Sequence, residues 1–289
     1  MSFKTDINGH TKVFCIIGHP VEHSMSPVMH NAALKDLGLN FVYVAYDIKP
    51  NQLNGAIKGL KALGIMGFNV TIPYKERIIK YLDKLDPLAK RIGAINTVKN
   101  ENGFLIGRNT DALGAKKGLL DAGCKIQGKK VVILGAGGAA KAISYILAED
   151  ANKMIIANRT EKRAIELVKN LKQNLDVNVE CKRFSENILR EELKDADLLI
   201  NATPIGMYPN INQSPIPKEA LHPELFVFDV IYNPLETQLL KDAKDMGCKT
   251  LSGLEMLLNQ GILAFEWWTN KKPNPDLMKR KVIEYLEMK

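Results

Sequence analysis

Gly135, Gly137 and Gly138 fall in VVILGAGGAA, between an apolar run and KAISYILAED, a stretch of helix-forming residues. Strand, glycine turn and helix in that order present free backbone NH groups and a positive helix-dipole end to a pyrophosphate. Gly135 permits the sharp turn, Gly137 lets the backbone approach the phosphates, and Gly138 with Ala139 and Ala140 lets the helix pack near its strand. With Ala136 these residues form a candidate dinucleotide cradle. A second apolar run, MIIA at 154–157, ends in Asn158, Arg159 and Thr160, with Lys162 and Arg163 just beyond. An NAD site would place an acidic residue roughly 20 residues downstream of the turn, on the ribose 2′-hydroxyl. No carboxylate ends this strand. Arg159 stands there instead, and its guanidinium can grip a 2′-phosphate through paired charge-assisted hydrogen bonds, which favours NADP over NAD.

The elements that must position such a site are legible in the same pattern. Residues 12–17 alternate into an apolar strand ended by Gly18-His19-Pro20. A helix is expected over 27–37, with Pro27 in its first turn and Ser26 as N-cap. FVYVAYDI reads as a second strand, 52–63 as a second helix and IMGFNVTI as a third strand, which makes βαβαβ and a mainly parallel sheet. Ligands of such sheets gather at the carboxyl ends of strands, where Ser24, Ser26, Asn69, Thr71 and Lys75 lie. Residues 74–82 and 86–92 read as helices, and AINTVKN and FLIGRNT flank an Asn-Gly hairpin turn. Asp111 opens the helix that follows. From 129 to 250 strands and helices alternate as in a Rossmann domain: VVIL, a helix from Ala139, MIIA, a helix over 160–172, a strand near 177–181, then DLLINAT and LFVFDV. Past Gly253, the residues Leu254, Leu257, Leu258, Ile262, Phe265 and Trp268 keep helical spacing. The final stretch is too short for its own core and is expected to return to the first domain. The fold class is therefore α/β, with two α/β domains. Residues 1–111 plus 253–289 form one, with an N-terminal mainly parallel sheet, and 112–252 form a doubly wound Rossmann domain.

A chain of 289 residues with 46% hydrophobic and 25% charged residues is an ordinary globular composition, long enough for two cores. Its apolar runs fall far short of the roughly 18 residues that cross a bilayer, and MSFKTDINGH lacks a signal-peptide core, so a cytoplasmic address with no membrane partner is expected. The four cysteines, at 15, 124, 181 and 248, form no C-x-x-C pair and read as reduced thiols. The net charge of +8 is spread along the chain and interleaved with acids. It suits weak steering of an anionic small molecule better than nucleic acid. His19-Pro-Val-Glu-His23 matches a zinc-binding H-x-x-E-H pattern, but Gly18 and Pro20 oppose the helix that pattern needs, so no metal is expected.

HSMSP at 23–27, NVTIPYK at 69–75, GAINT at 93–97, NTD at 109–111, GAGGAA at 135–140, NRT at 158–160, YNPLET at 232–237 and GLEMLLNQ at 253–260 together resemble the shikimate dehydrogenase family. The blocks stand in that family's order and span nearly the whole chain. The resemblance implies NADP-dependent reduction of 3-dehydroshikimate to shikimate in aromatic amino acid biosynthesis. By that resemblance Lys75 and Asp111 flank the reacting hydroxyl, with Lys75 as proton acceptor in oxidation and donor in reduction. Ser24 and Ser26, assisted by Tyr232, match the carboxylate clamp. Asn69, Thr71, Asn96, Asp111 and Gln260 match the positions that hold ring hydroxyls, and Thr203, Val230 and Gly253 fit the nicotinamide side. Two other readings stay open: a dehydrogenase that also takes quinate, and a noncatalytic NADPH-responsive binding protein. A homodimer is compatible with either.

Overall fold

The computed structural model describes residues 7–288; residues 1–6, which carry part of the stretch read as lacking a signal-peptide core, lie outside them. The chain divides into two compact units, at Thr110/Asp111 and again at Asn259/Gln260. The first unit is built from β1 (Lys12–Gly18), α1 (Ser26–Asp36), β2 (Phe41–Asp47), α2 (Leu53–Ala62), β3 (Gly67–Val70), β4 (Lys84–Leu85), α3 (Pro87–Ile92), β5 (Thr97–Glu101) and β6 (Phe104–Arg108). Its sheet runs β2-β1-β3-β5-β6-β4. Parallel pairs join β2 to β1, β1 to β3 and β6 to β4, while β5 runs antiparallel to both its neighbours.

Period-two alternation sorts the strand residues of this unit onto two faces. Cys15 and Ile17 of β1, Phe68 and Val70 of β3 and Val98 of β5 share one core with Leu53, Ile57 and Leu60 of α2. Gly67 and Asn69 of β3 point the opposite way. Local chemistry sets the connections. Asp86 caps α3, its carboxylate accepting from the Ala89 amide at 2.6 Å, and Gly93 closes that helix with a left-handed φ of 68°. The β5–β6 hairpin turns on Asn102 and Gly103, both at positive φ, as its Asn-Gly pair predicts.

Two local expectations differ from the structure. Residues 74–82 form turns and a short 3-10 segment, Ile79–Tyr81, instead of an α-helix. The Lys75 carbonyl is taken by the Ile95 amide at 2.7 Å, so it is not left for an amide four residues on. The N-cap of α1 is Met25, not Ser26; the Ser24 hydroxyl accepts from the Ser26 amide at 3.3 Å.

α4 (Thr110–Asp121) leads into the second unit, made of β7 (Lys130–Leu134), α5 (Gly138–Leu147), β8 (Lys153–Asn158), α6 (Glu161–Asn174), β9 (Val179–Arg183), α7 (Glu186–Leu193), β10 (Leu198–Asn201), β11 (Phe226–Asp229), α8 (Gln238–Asp245) and β12 (Lys249–Leu251). Its sheet is parallel throughout, in the order β12-β11-β10-β7-β8-β9. Strand order reverses between β7 and β10, the switch point where such sheets open a ligand crevice at their carboxyl ends. The helices α7 and α8 and the strand β12 are elements that the sequence pattern does not single out. The four cysteines are free thiols. Among the described residues no helix is long and apolar enough to cross a membrane.

The long helix α9 (Gly253–Thr269) carries the chain onward, and α10 (Pro275–Glu287) packs on α1. Trp268 of α9 donates its indole NH to the Val98 carbonyl at 3.0 Å and stacks on Phe14 at 4.9 Å. Gly67 makes room for it: a methyl there would lie 2.5 Å from the indole nitrogen and 2.9 Å from the Val98 oxygen. Gly67→Ala is therefore expected to destabilise the protein by about 1–3 kcal/mol, the usual cost of overpacking. Thermal unfolding followed by tryptophan near-UV dichroism checks it, and an unchanged melt with an unchanged tryptophan signal would contradict this account.

Candidate functional site

In the first unit, polar side chains collect where β3 ends and β5 begins. Antiparallel pairing sets Asn69 opposite Thr97, which in turn lies opposite Arg108 at the end of β6. Residues 96–97 and 109–110 thus arrive at one sheet edge beside Asn69. There the Asn69 amide donates to the Asn96 carbonyl and to the Thr97 hydroxyl, both at 3.0 Å. The Asn96 amide donates to the Thr110 hydroxyl at 2.9 Å and to the Gln260 side-chain oxygen at 3.1 Å. The Asn96 side-chain oxygen accepts from the Thr110 amide at 2.7 Å. Tyr43 of β2 donates to the Asn69 side-chain oxygen at 2.7 Å, and the Ser26 hydroxyl bonds the same phenol, whose ionisation burial opposes. Ser26, Tyr43, Asn69, Asn96, Thr97, Thr110 and Gln260 are all buried.

Burying so many neutral polar groups is costly unless each finds a partner. Here they partner one another in one row that runs from the first turn of α1 to α9. Four of the sequence-read residues, Ser26, Asn69, Asn96 and Gln260, are joined in it. Tyr43, Thr97 and Thr110 were not singled out from sequence. The alternation of FVYVAYDI makes Tyr43 a core strand residue, and only the packed sheet reveals its hydroxyl against Asn69.

Thr71 and Lys75 lie on the adjoining loop. The Thr71 amide bonds the Ile17 carbonyl at 2.9 Å, and buried Tyr74 bonds the Ile48 carbonyl, so the loop is held against the carboxyl ends of β1 and β2. The Ile95 amide on the Lys75 carbonyl fixes that lysine's backbone one residue from Asn96. Lys75 and Ser24 are half-buried.

The second unit carries the glycine turn. Gly135 has φ +114°, and a Cβ there would lie 2.7 Å from the Ala202 carbonyl oxygen at the exit of β10. Gly137 is different. It is the N-cap of α5 at φ −84°, no side chain caps that helix, and a Cβ built on it meets nothing within 4 Å. Open space against uncapped first-turn amides, beside the switch point, fits a dinucleotide pyrophosphate. Ala136 is buried, and Gly138 and Ala139 are half-buried. β8 ends in Asn158, whose amide bonds the Thr160 carbonyl at 2.9 Å. Arg159, Thr160, Lys162 and Arg163 are exposed, and these three cations make no ion pair among the described residues. That donor set suits a 2′-phosphate.

Also in this unit, Thr203 donates from both its amide (3.1 Å) and its hydroxyl (2.7 Å) to the Asn201 side-chain oxygen. Val230 and Tyr232 are half-buried on the segment that leaves β11. Gly253 is required sterically, since a Cβ there would collide with the Val230 carbonyl. Asp111 is buried near the start of α4. Asp229, absent from the sequence reading, is buried and accepts from Thr237 at 2.7 Å and from Asn201 and the Ile231 amide at 3.1 Å each. Among the described residues no cluster of His, Cys, Asp and Glu could hold a metal ion.

Comparison with known proteins adds an independent line. Residues 16–98 match a family model described as the shikimate dehydrogenase substrate binding domain, 117–234 one described as shikimate / quinate 5-dehydrogenase, and 253–283 one described as the shikimate 5′-dehydrogenase C-terminal domain. The chain is 52% identical over 283 residues to the shikimate dehydrogenase (NADP(+)) of Methanocaldococcus jannaschii, covering 96% of this chain and 98% of that one. A crystal structure of a shikimate dehydrogenase in complex with NADP+ superposes with a TM-score of 0.91 at 49% identity, covering 97% and 98% of the two chains. The Thermus thermophilus shikimate 5-dehydrogenase in complex with NADP(H) and shikimate gives 0.85 at 37% identity, covering 95% and 99%.

Behind the polar row lies His30, buried, stacked on Tyr43 at 4.5 Å, and without a hydrogen-bond partner on either ring nitrogen. Burial pushes its pKa down to about 3. An unfolded histidine takes its proton near 6.5, so the unfolded state binds it first and the folded state loses stability as pH falls below that value. By pH 5 this one group is expected to cost about 2 kcal/mol. Denaturant unfolding at pH 7 and pH 5 checks it: His30→Phe, which keeps a stacked ring without the titration, should lose less stability on acidification than the parent. Equal losses would contradict the assignment. Asp229, whose carboxyl burial raises to about 6, works in the opposite direction in both proteins and cancels in the comparison.

Proposed function

The chain belongs to the shikimate dehydrogenase family, and from that premise we propose that it catalyses the reversible NADPH-dependent reduction of 3-dehydroshikimate to shikimate, an alcohol oxidoreductase of aromatic amino acid biosynthesis. The observation that carries the substrate class is the buried row from Ser26 through Tyr43, Asn69 and Asn96 to Gln260. A ring bearing several hydroxyls needs neutral donors and acceptors at fixed positions and little apolar wall.

In this reading residues 1–111 and 253–289 hold the substrate and 112–252 hold NADP. Ser24 and Ser26 grip the carboxylate with help from Tyr232. Asn69, Thr71, Asn96, Asp111 and Gln260 hold the ring oxygens. The 135–139 turn cradles the pyrophosphate; Asn158, Arg159, Thr160, Lys162 and Arg163 take the 2′-phosphate end; Thr203, Val230 and Gly253 face the nicotinamide. Bound NADP(H) supplies or accepts the hydride at the ring carbon. Lys75 gives a proton to the carbonyl oxygen in reduction and removes it from the hydroxyl in oxidation, and the Asp111 carboxylate orients that exchange. Holding the reacting groups in register removes much of the entropic part of the barrier. The partner is a small molecule. The protein is proposed to work in the cytoplasm, alone or as a homodimer, with no nucleic-acid partner.

A spectrophotometric assay with shikimate and NADP+, against quinate and NAD+ arms, tests the reading; absence of shikimate turnover would overturn it. Lys75→Ala should lower kcat by about 10²-fold or more, the usual worth of a positioned acid–base group, with a smaller change in KM. Near-normal turnover would remove Lys75 from the reaction. Arg159→Asp should cut the preference of kcat/KM for NADP+ over NAD+ by about tenfold or more, as loss of a charge-assisted pair predicts. An unchanged ratio would show that the 2′-phosphate is held elsewhere.

A further inference from the structure

We propose that Asp229 is a positioning residue for the cofactor: its buried carboxylate fixes the Thr203 and Val230 segments in the arrangement that receives the nicotinamide end of NADP(H). The inference rests on the functional reading above and concerns how one end of that site is held.

Asp229 is the last residue of β11, fully buried, and its two oxygens tie three segments together. One oxygen accepts from the Asn201 amide group at the end of β10 and from the Ile231 backbone amide, while the other accepts from Thr237, the N-cap of α8. Two of these ties pass to cofactor-side positions. The Asn201 side-chain oxygen in turn accepts from both the amide and the hydroxyl of Thr203. The Ile231 tie fixes the peptide beyond Val230, and the Val230 amide bonds the Asn201 carbonyl at 3.0 Å. The Ile231 carbonyl accepts from the Gly253 amide at 3.1 Å. Thr203, through Asn201, and the Val230 and Gly253 peptides, through Ile231, are thus linked to one carboxylate.

Keeping a carboxylate there has a cost: burial raises the Asp229 carboxyl to about 6 against the help of its three hydrogen bonds. The groups facing it are Thr237 from α8, Asn201 from β10 and the Ile231 amide, and no charged side chain contributes to its shift. On α8, Lys241, Lys244 and Asp245 are exposed or half-buried and Asp242 is exposed or half-buried with them; Lys249 of β12 is exposed and Glu255 of α9 half-buried. Ionised, Asp229 accepts all three bonds. Protonated, it loses the charge that strengthens the bonds from the Asn201 and Ile231 donors, and only the Thr237 hydroxyl could turn to accept its proton, so the arrangement is complete above about pH 6 and weakens below it.

The test is NADPH binding to the full-length protein by fluorescence titration, from about pH 5 to about pH 8, a span that brackets the titration. At neutral pH Asp229→Asn should weaken NADPH by about tenfold, the scale of a lost charge-assisted bond, and raise KM for cofactor far more than KM for shikimate. Below pH 6 its affinity should fall less steeply than the parent's. The 2′-phosphate itself titrates near pH 6, so the difference between parent and variant is the readout. Thr237→Val removes a bond that favours the ionised form and should move the acid loss to higher pH, and Thr237→Ser should restore it. Parental affinity and pH profile in Asp229→Asn would overturn the proposal, as would equal rises in both KM values. Should that variant not fold, Thr237→Val decides: an unmoved acid limb overturns the proposal. Binding is read without turnover, so a parent that binds NADPH but leaves shikimate untouched would sink the functional reading and not this one.

Discussion

Two asparagine side chains can stay buried at the ends of neighbouring strands only if each of their donors and acceptors is met. Asn69 and Asn96 meet that condition by bonding to each other's surroundings: Asn69 reaches the Asn96 carbonyl and Thr97, and Asn96 reaches Thr110 and Gln260. The antiparallel insertion of β5 beside β3 makes this geometry available, because it brings the start of one strand against the end of the other. A purely parallel sheet would have carried the following residues to the opposite edge. The seating of α9 follows from the same requirement, since Gln260 must arrive at Asn96 while Trp268, two turns on, lies over Gly67.

The second unit answers a different constraint. Its parallel sheet is buried on both faces, as Val131 to Leu134, Ile155, Ile156 and Leu198 to Ile200 attest, so its chemistry is confined to loops at the strand ends. Those loops need polar fixing in addition to the few apolar residues they bury. Asn201 and Asp229, the final residues of β10 and β11, serve that purpose as buried polar anchors. Rigid strands thereby impose their order on the segments that leave them.

Much of this was legible in the sequence because the signals were local. The glycine turn, the switch of periodicity on either side of it, the Asn-Gly hairpin and the apolar stripe of α9 each lie within a few residues. Lys75 could be singled out by its motif, but its conformation could not, since the bond from Ile95 that prevents a helix at 74–82 comes from 20 residues away. Tyr43 and Asp229 escaped for the same reason. Each sits in an apolar run, FVYVAYDI or LFVFDV, whose pattern announces a strand, and the strand-end asparagine each one bonds is 26 or 28 residues distant. A serine before a proline-led helix, such as Ser26, is the expected cap. In the fold, Ser24 accepts that amide and leaves the Ser26 hydroxyl for Tyr43.

Glycines 135 and 137 look alike on paper, yet they answer to different masters. At 135 the backbone is left-handed and Ala202 leaves no room, so any replacement disturbs the architecture itself. At 137 the dihedrals suit any amino acid and the surrounding protein atoms are silent. A larger residue there would pass every test of folding and still bar the door to a guest, so that a stable, well-behaved molecule could be blind to its cofactor. Stability data alone would never reveal the importance of that position.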